Sequence, residues 1–276
     1  MKKIITILLL ALTFVSCGQK DKKTELYNTG VDNFYRGNIK QAAIDFTRVI
    51  NLDPSYAEGY NNRGMCYQKL EKYDSALADF SKAIELKPEL AEAFNNRALV
   101  YSDLNQFEKA VDDYTHAINL NPDDFELHGN RGDIYYYMSE YQKAIDDFET
   151  ALKLYPNYVE GYVNLGASYL KIKDYQNAAK YLDRALEYNP KNASAYIYRA
   201  TMLLELGDYD YALFDCNNAL NYEKRNARAY FVKAKVLEKL NDKSGALDAY
   251  KMVVQIAPAD MADEIAFSER KVAALQ

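Results

Sequence analysis

Large and small apolar residues alternate along most of this chain at steps of three and four, and the pattern repeats every 34 residues. Seven blocks cover residues 23–56, 57–90, 91–124, 125–158, 159–192, 193–226 and 227–260. Position 4 of each block is large: Leu26, Tyr60, Phe94, His128, Tyr162, Tyr196 and Tyr230. Position 8 is always small, as Gly30, Gly64, Ala98, Gly132, Gly166, Ala200 and Ala234. With position 11 they form one stripe of a helix. Positions 20, 24 and 27 form a second stripe. Position 20 is alanine in every block, from Ala42 to Ala246, and position 24 reads Phe46, Phe80, Tyr114, Phe148, Leu182, Cys216 and Tyr250. The pattern predicts two helices per block, with small residues admitting close backbones and rings filling the gaps.

Punctuation agrees with the period. Pro54, Pro88, Pro122, Pro156, Pro190 and Pro258 all occupy position 32, and proline ends a helix because it lacks an N–H and restricts the residue before it. Position 15 carries Gly37, Asn105, Gly207 or Asn241, residues suited to a left-handed turn. Asp174, Asp208 and Asp242 follow as expected N-caps. Lys224 replaces proline in the sixth block, so its second helix is expected to run longer. Residues 261–276 place Met261, Ile265, Val272 and Leu275 on one stripe but put Glu264 in the aromatic slot, which predicts a capping helix.

Seven concordant copies of this pattern resemble the tetratricopeptide repeat. The resemblance implies an all-α, right-handed α-solenoid of seven helix-turn-helix units plus a C-terminal capping helix. It also implies a concave face carrying positions 2, 5, 6, 9, 12 and 13. Position 6 then forms a ladder of Asn28, Asn62, Asn96, Asn130 and Asn164, whose amides either pair with the backbone of an extended peptide or are merely solvated or bonded locally. The row is similar to the asparagine ladder of O-linked N-acetylglucosamine transferases. Position 2 adds Glu58, Glu92, Glu126 and Glu160, which line the same face or simply complement the helix dipole. Position 5 carries no lysine, so the carboxylate clamp of chaperone-binding relatives is absent.

Fourteen of the 26 tyrosines fall at positions 4, 11, 17 and 24, where packing accounts for them. Tyr35, Tyr136, Tyr137 and Tyr198 fall on groove positions instead, as expected partner contacts. Because the asparagines stop after the fifth block, repeats one to five are expected to recognise and the last two to support.

The N-terminus has its own organisation. Lys2 and Lys3 precede an apolar run from Ile4 to Val15, too short to span a hydrocarbon core, and residues 1–16 read as a signal peptide. Phe14, Val15, Ser16 and Cys17 resemble a bacterial lipoprotein box, which implies diacylation of Cys17, with 17–22 as a polar tether. The implied location is the bacterial cell envelope, at the outer membrane. An uncleaved membrane anchor is the alternative.

A net charge of −6, which becomes −8 without the two leader lysines, disfavours nucleic acid as a partner. Cys66 and Cys216 lie four repeats apart, too far for a disulfide, and read as small buried hydrophobes. His116 and His128 offer no metal-binding spacing, so neither metal nor cofactor is expected. The acid pairs Asp112-Asp113 and Asp146-Asp147 recur at one position of the repeat and read as a solvated face. No phosphate loop or nucleophile arrangement occurs. The sequence therefore points to a non-enzymatic scaffold that binds proteins or extended peptides. A self-associating envelope component is the alternative, or a repeat domain supporting an enzyme in trans.

Overall fold

A computed structural model describes residues 22–275. The expected leader at 1–16, Cys17 and residues 18–21 of the expected tether lie outside them, and residue 22 is already helical. Helix α1 covers 22–35. Six more first helices follow: α3 (Ala57–Lys69), α5 (Ala91–Asp103), α7 (Phe125–Tyr137), α9 (Val159–Lys171), α11 (Ala193–Leu206) and α13 (Ala227–Lys239). Their second helices are α2 (Ile39–Leu52), α4 (Tyr73–Leu86), α6 (Phe107–Leu120), α8 (Tyr141–Leu154), α10 (Tyr175–Tyr188), α12 (Tyr209–Tyr222) and α14 (Lys243–Ile256). A short 3₁₀ turn at Ala259–Met261 leads into α15 (Ala262–Leu275), and no strand occurs among the described residues. These are the seven helix pairs and the cap of an all-α repeat fold. Contacts divide the chain into two compact units between Ile134 and Tyr135, inside α7.

The alternation of large and small side chains sets the packing within each pair. All seven position-20 alanines are fully buried, and every position-24 side chain beneath them is inaccessible or nearly so. At position 8 the reason for glycine is steric. A Cβ on Gly64 would sit 2.7 Å from Phe80 Cε1, and one on Gly166 2.7 Å from Leu182 Cγ.

Position 15 adopts the left-handed conformation in all seven repeats. Gly37, Asn105, Gly207 and Asn241 do so as expected, but so do Glu71, Ser139 and Lys173, with φ near +60°. The turn geometry is therefore imposed by the repeat even where the residue resists it. Asp174 and Asp242 cap α10 and α14 by accepting from the backbone N–H of Asn177 and Gly245. Asp208 makes no such bond, contrary to expectation.

The sixth repeat also departs from expectation: α12 has 14 residues, as many as α10 and α14. It stops because the chain turns at Lys224 and Arg225 as it does elsewhere, with the Asn226 N–H bonded to the Glu223 carbonyl. Asn226 then caps α13 by accepting from Ala229 N–H at 3.0 Å. An asparagine cap here does without the proline.

The largest correction concerns the acid pairs. Asp112 and Asp146 are exposed, but Asp113 and Asp147 are only 4% and 5% exposed. In unit one, Arg97 at position 7 donates through Nε and Nη2 to both carboxylate oxygens of Asp113, at 2.7 and 2.8 Å. Its third nitrogen, Nη1, reaches back to Ser81 of the preceding repeat at 3.0 Å. Arg63 does the same with Asp79 and Thr47, and in unit two Arg199 with Asp215 and Asp183. Such bidentate pairs are the strongest side-chain hydrogen bonds available. They form straps across three helices.

Unit two departs from this scheme in the fifth repeat, where Leu165 and Tyr181 stand at the strap positions. There Tyr181 stacks on Tyr169, with ring centroids 5.5 Å apart and planes 8° from parallel. Tyr162 lies between Tyr181 and Tyr188. At the C-terminus, Phe267 of α15 packs edge-on against Phe231 and tilted against Tyr250, and Lys271 bonds Glu238 at 2.7 Å.

Candidate functional site

Each unit opens a bay on the side of its first helices. In unit one, α1 contributes Tyr27, Val31, Phe34 and Tyr35, and α3 contributes Asn61, Asn62 and Met65. Glu92, Asn95 and Asn96 of α5 form the far wall and Phe46 the floor, around a cavity of about 360 Å³. The repeat period explains the convergence, since positions 5, 6 and 9 of successive first helices fall side by side. Tyr27 is held edge-on by Phe46 and Tyr56, at 5.8 and 5.5 Å.

The expected asparagine ladder is not a free row here. Asn62 donates to the Tyr27 hydroxyl at 2.9 Å, and Asn96 donates to Asn61 Oδ1 at 3.0 Å. Position-6 amides thus spend a donor on position 5 of the preceding repeat. Asn28 is exposed on α1, and Asn130 is half-buried on α7. Asn164, half-buried on α9, belongs to the other unit. The amides at position 5, Asn61 and Asn95, line the same cavity and also keep bonding capacity. Asn61 is only 7% exposed, yet its Nδ2 reaches Asn62 Oδ1 at 3.3 Å and Met65 Sδ at 4.0 Å, both long. Asn95 Oδ1 is buried and has no hydrogen-bond partner.

The position-5 amides form no row in the sequence because the residue type there varies along the chain. The visible signal is the doublet Asn-Asn-Arg at 61–63 and 95–97. Of the position-2 glutamates in unit one, Glu58 is engaged by Lys87 at 2.7 Å, while Glu92 rims the bay. Burial pushes the Glu58 carboxyl up, but the Lys87 hydrogen bond and charge bring it net below its ordinary value.

In unit two, three expected groove tyrosines lie on first helices. Tyr136 and Tyr198 share a hydrogen bond across two repeats, and burial, then the neighbouring phenols, push the Tyr136 hydroxyl far above its ordinary pKa. Tyr137 is 68% exposed. Tyr198 also lines a second cavity of about 420 Å³ with Ser194, Ile197, Arg225 and Arg228, closed below by Ile256, Pro258 and Met261. The last two repeats, expected to be support, thus hold the larger bay. The asparagines that marked recognition in the sequence give way there to tyrosine and arginine.

His128 fills its core slot, with Nε2 3.1 Å from the Pro122 carbonyl oxygen. Among the described residues no group of three His, Cys, Asp or Glu could hold a metal ion, and no helix is long and apolar enough to cross a membrane. Burial pushes the thiols of Cys66 and Cys216 up to about 12.

Models of the tetratricopeptide repeat match residues 57–90, 91–124, 125–158 and 159–192, and further models of the same repeat match 181–214 and 227–260. A tetratricopeptide repeat protein from Parabacteroides merdae ATCC 43184 superposes with a TM-score of 0.72 at 19% identity, over 92% of this chain and 99% of that one. YrrB, described as a TPR protein with an unusual peptide-binding site, gives 0.51 at 25% identity, over 69% of this chain and 97% of its own. Among curated proteins, neutrophil cytosol factor 2 of Bos taurus is 43% identical over 51 residues, which span 18% of this chain and a tenth of that protein's length.

Proposed function

Since the chain belongs to the tetratricopeptide repeat family, a protein-interaction scaffold, we propose that it is a lipid-anchored adaptor of a bacterial cell envelope holding extended protein segments against its first helices. The observation that carries this reading is the pair of bays, one in each unit, with first-helix side chains in their walls: amides, aromatic rings and the single charge of Glu92 in unit one, and Ile197 and Tyr198 beside Arg225, Arg228, Glu223 and Asp260 in unit two. Peptide-binding sites are concave, mostly apolar and furnished with a few placed polar groups. The likeness to YrrB supports the same mode. The family is typically non-enzymatic, which fits a role in assembly and not in turnover. Cys17, in its lipoprotein-like context, supports tethering to the outer membrane through acyl chains.

Site-specific photo-crosslinking in intact cells tests the reading. A crosslinker at Tyr35 or Tyr137 captures a partner, whereas one at Lys109 or Lys143 on second helices does not. Capture only from the second-helix side would defeat it. In the same cells Cys17→Ala moves the protein out of the membrane fraction, and retention there would defeat the lipid anchor.

One observation favours self-association as a second reading. Tyr211 and Phe214 stand exposed on α12, where the third and fourth repeats carry lysine and aspartate. Sedimentation decides it: a sedimentation coefficient independent of concentration leaves the adaptor reading alone.

A further inference from the structure

We infer that the unit-one bay recognises an extended segment bearing a large apolar residue next to a lysine or arginine. In this arrangement Asn61 and Asn95 read the segment's backbone while the apolar side chain fills the bay. This rests on the peptide-binding reading above and names the ligand for one of its two bays.

The argument begins with unspent hydrogen-bonding capacity. A buried polar atom without a partner costs roughly 1–3 kcal/mol, so native proteins rarely keep one unless something else completes it. Asn95 Oδ1 is buried without a donor, and Asn61 Nδ2 has only long contacts to Asn62 Oδ1 and Met65 Sδ. The bay therefore presents one acceptor and one donor from adjacent first helices. Peptide backbone supplies the complement of both in every residue, an N–H and a C=O. Neutral amides suit this task because they carry no charge that the segment must match.

Between these amides and α1 the lining is apolar: Tyr27, Val31, Phe34 and Met65. A methionine wall adapts to several side-chain shapes, which suits recognition of a class of residue and not of one residue. The cavity of about 360 Å³ is at the lower end of small-ligand sites and admits a single large side chain with its flanking backbone. Its sole charged lining residue is Glu92, which is exposed. Glu58 is neutralised by Lys87. The rim is thus acidic, and a cationic neighbour beside the apolar residue is favoured.

A display library of random heptapeptides, selected on the full-length protein, tests this directly. Enriched peptides are expected to share a large apolar residue beside lysine or arginine. Their affinity should fall at least tenfold for Asn95→Leu and for Met65→Glu, and severalfold for Glu92→Gln. N-methylation of the peptide backbone around the apolar residue should cause a similar loss in the unaltered protein, a readout independent of how the variants fold. Enriched peptides that lack the apolar residue, carry acidic neighbours or ignore both Asn95→Leu and N-methylation overturn the inference. If such peptides are instead lost with Tyr198→Ala and Arg228→Glu, this inference fails while the adaptor reading survives through the other bay. No enrichment on the intact protein overturns both.

Discussion

The third and fifth repeats share a helix pair, a turn and a buried position-20 alanine, yet are held by different chemistry. In the third, Arg97 grips Asp113 and reaches back to Ser81; in the fifth, Leu165 is fully buried where the arginine would be, and Tyr181 stacks on Tyr169. One solution is directional and depends on a completed charge pair. The other is non-directional and depends on area and ring contact. The comparison shows that the repeat needs something to join its two helices and the helix before them, but does not dictate what.

The sharpest way to break the comparison is to put half of one solution into the other. Leu165→Arg alone buries a guanidinium opposite Tyr181 and is expected to cost about 3–5 kcal/mol. Adding Tyr181→Asp should recover part of that, a coupling read from urea midpoints of the two single variants and the double. Arg97→Met strands the Asp113 carboxylate and should cost about 2–3 kcal/mol, less than a fully buried pair because the arginine keeps some exposure. Lost amide-exchange protection in α5 and α6 would register it. Tyr181→Ala removes a half-buried ring from its stack, with an expected loss of about 1–2 kcal/mol.

A third kind of join, partly exposed, fastens the cap. Burial raises the Glu238 carboxyl, but the Lys271 and Tyr250 hydrogen bonds outweigh it and hold the group below its ordinary value. Its contribution is therefore full above the ordinary carboxylate range and fades as pH falls through the depressed folded value. Exchange protection of α15 should drop over that interval, and Glu238→Gln should flatten the drop. The smallest expected effect is none at all. With thiols raised to about 12, Cys66 and Cys216 should resist iodoacetamide at pH 8, as mapped by mass spectrometry. Arg199→Met should make Cys216 alone reactive, because the strap of its repeat has been cut.

The fold was legible because its determinants are compositional and repeated: seven alanines, seven small residues at position 8 and six prolines carry one message many times. Asp113 was misread because a doublet of acids looks the same whether both face water or only one does. Its partner Arg97 lies sixteen residues away, a spacing meaningful only once both helices are placed. Phe267 escaped for a similar reason, being off the stripe that continues the repeat. At the site, register alone put Tyr136, Tyr137 and Tyr198 on first helices, and of these Tyr198 lines the unit-two cavity. In unit one the bay is lined by Asn61 and Asn95 as well as by the Asn62 and Asn96 of the ladder, and the position-5 pair is less visible because a row of identical residues stands out more than a position whose occupant changes.

The seven left-handed turns carry a further meaning. Glycine holds such a conformation at little cost, whereas Glu71, Ser139 and Lys173 each give up roughly 1 kcal/mol to do so. Those three turns are a reserve of stability left unused. A lineage under heat or mutational load could recover it residue by residue with glycine, without touching a helix, a strap or either bay.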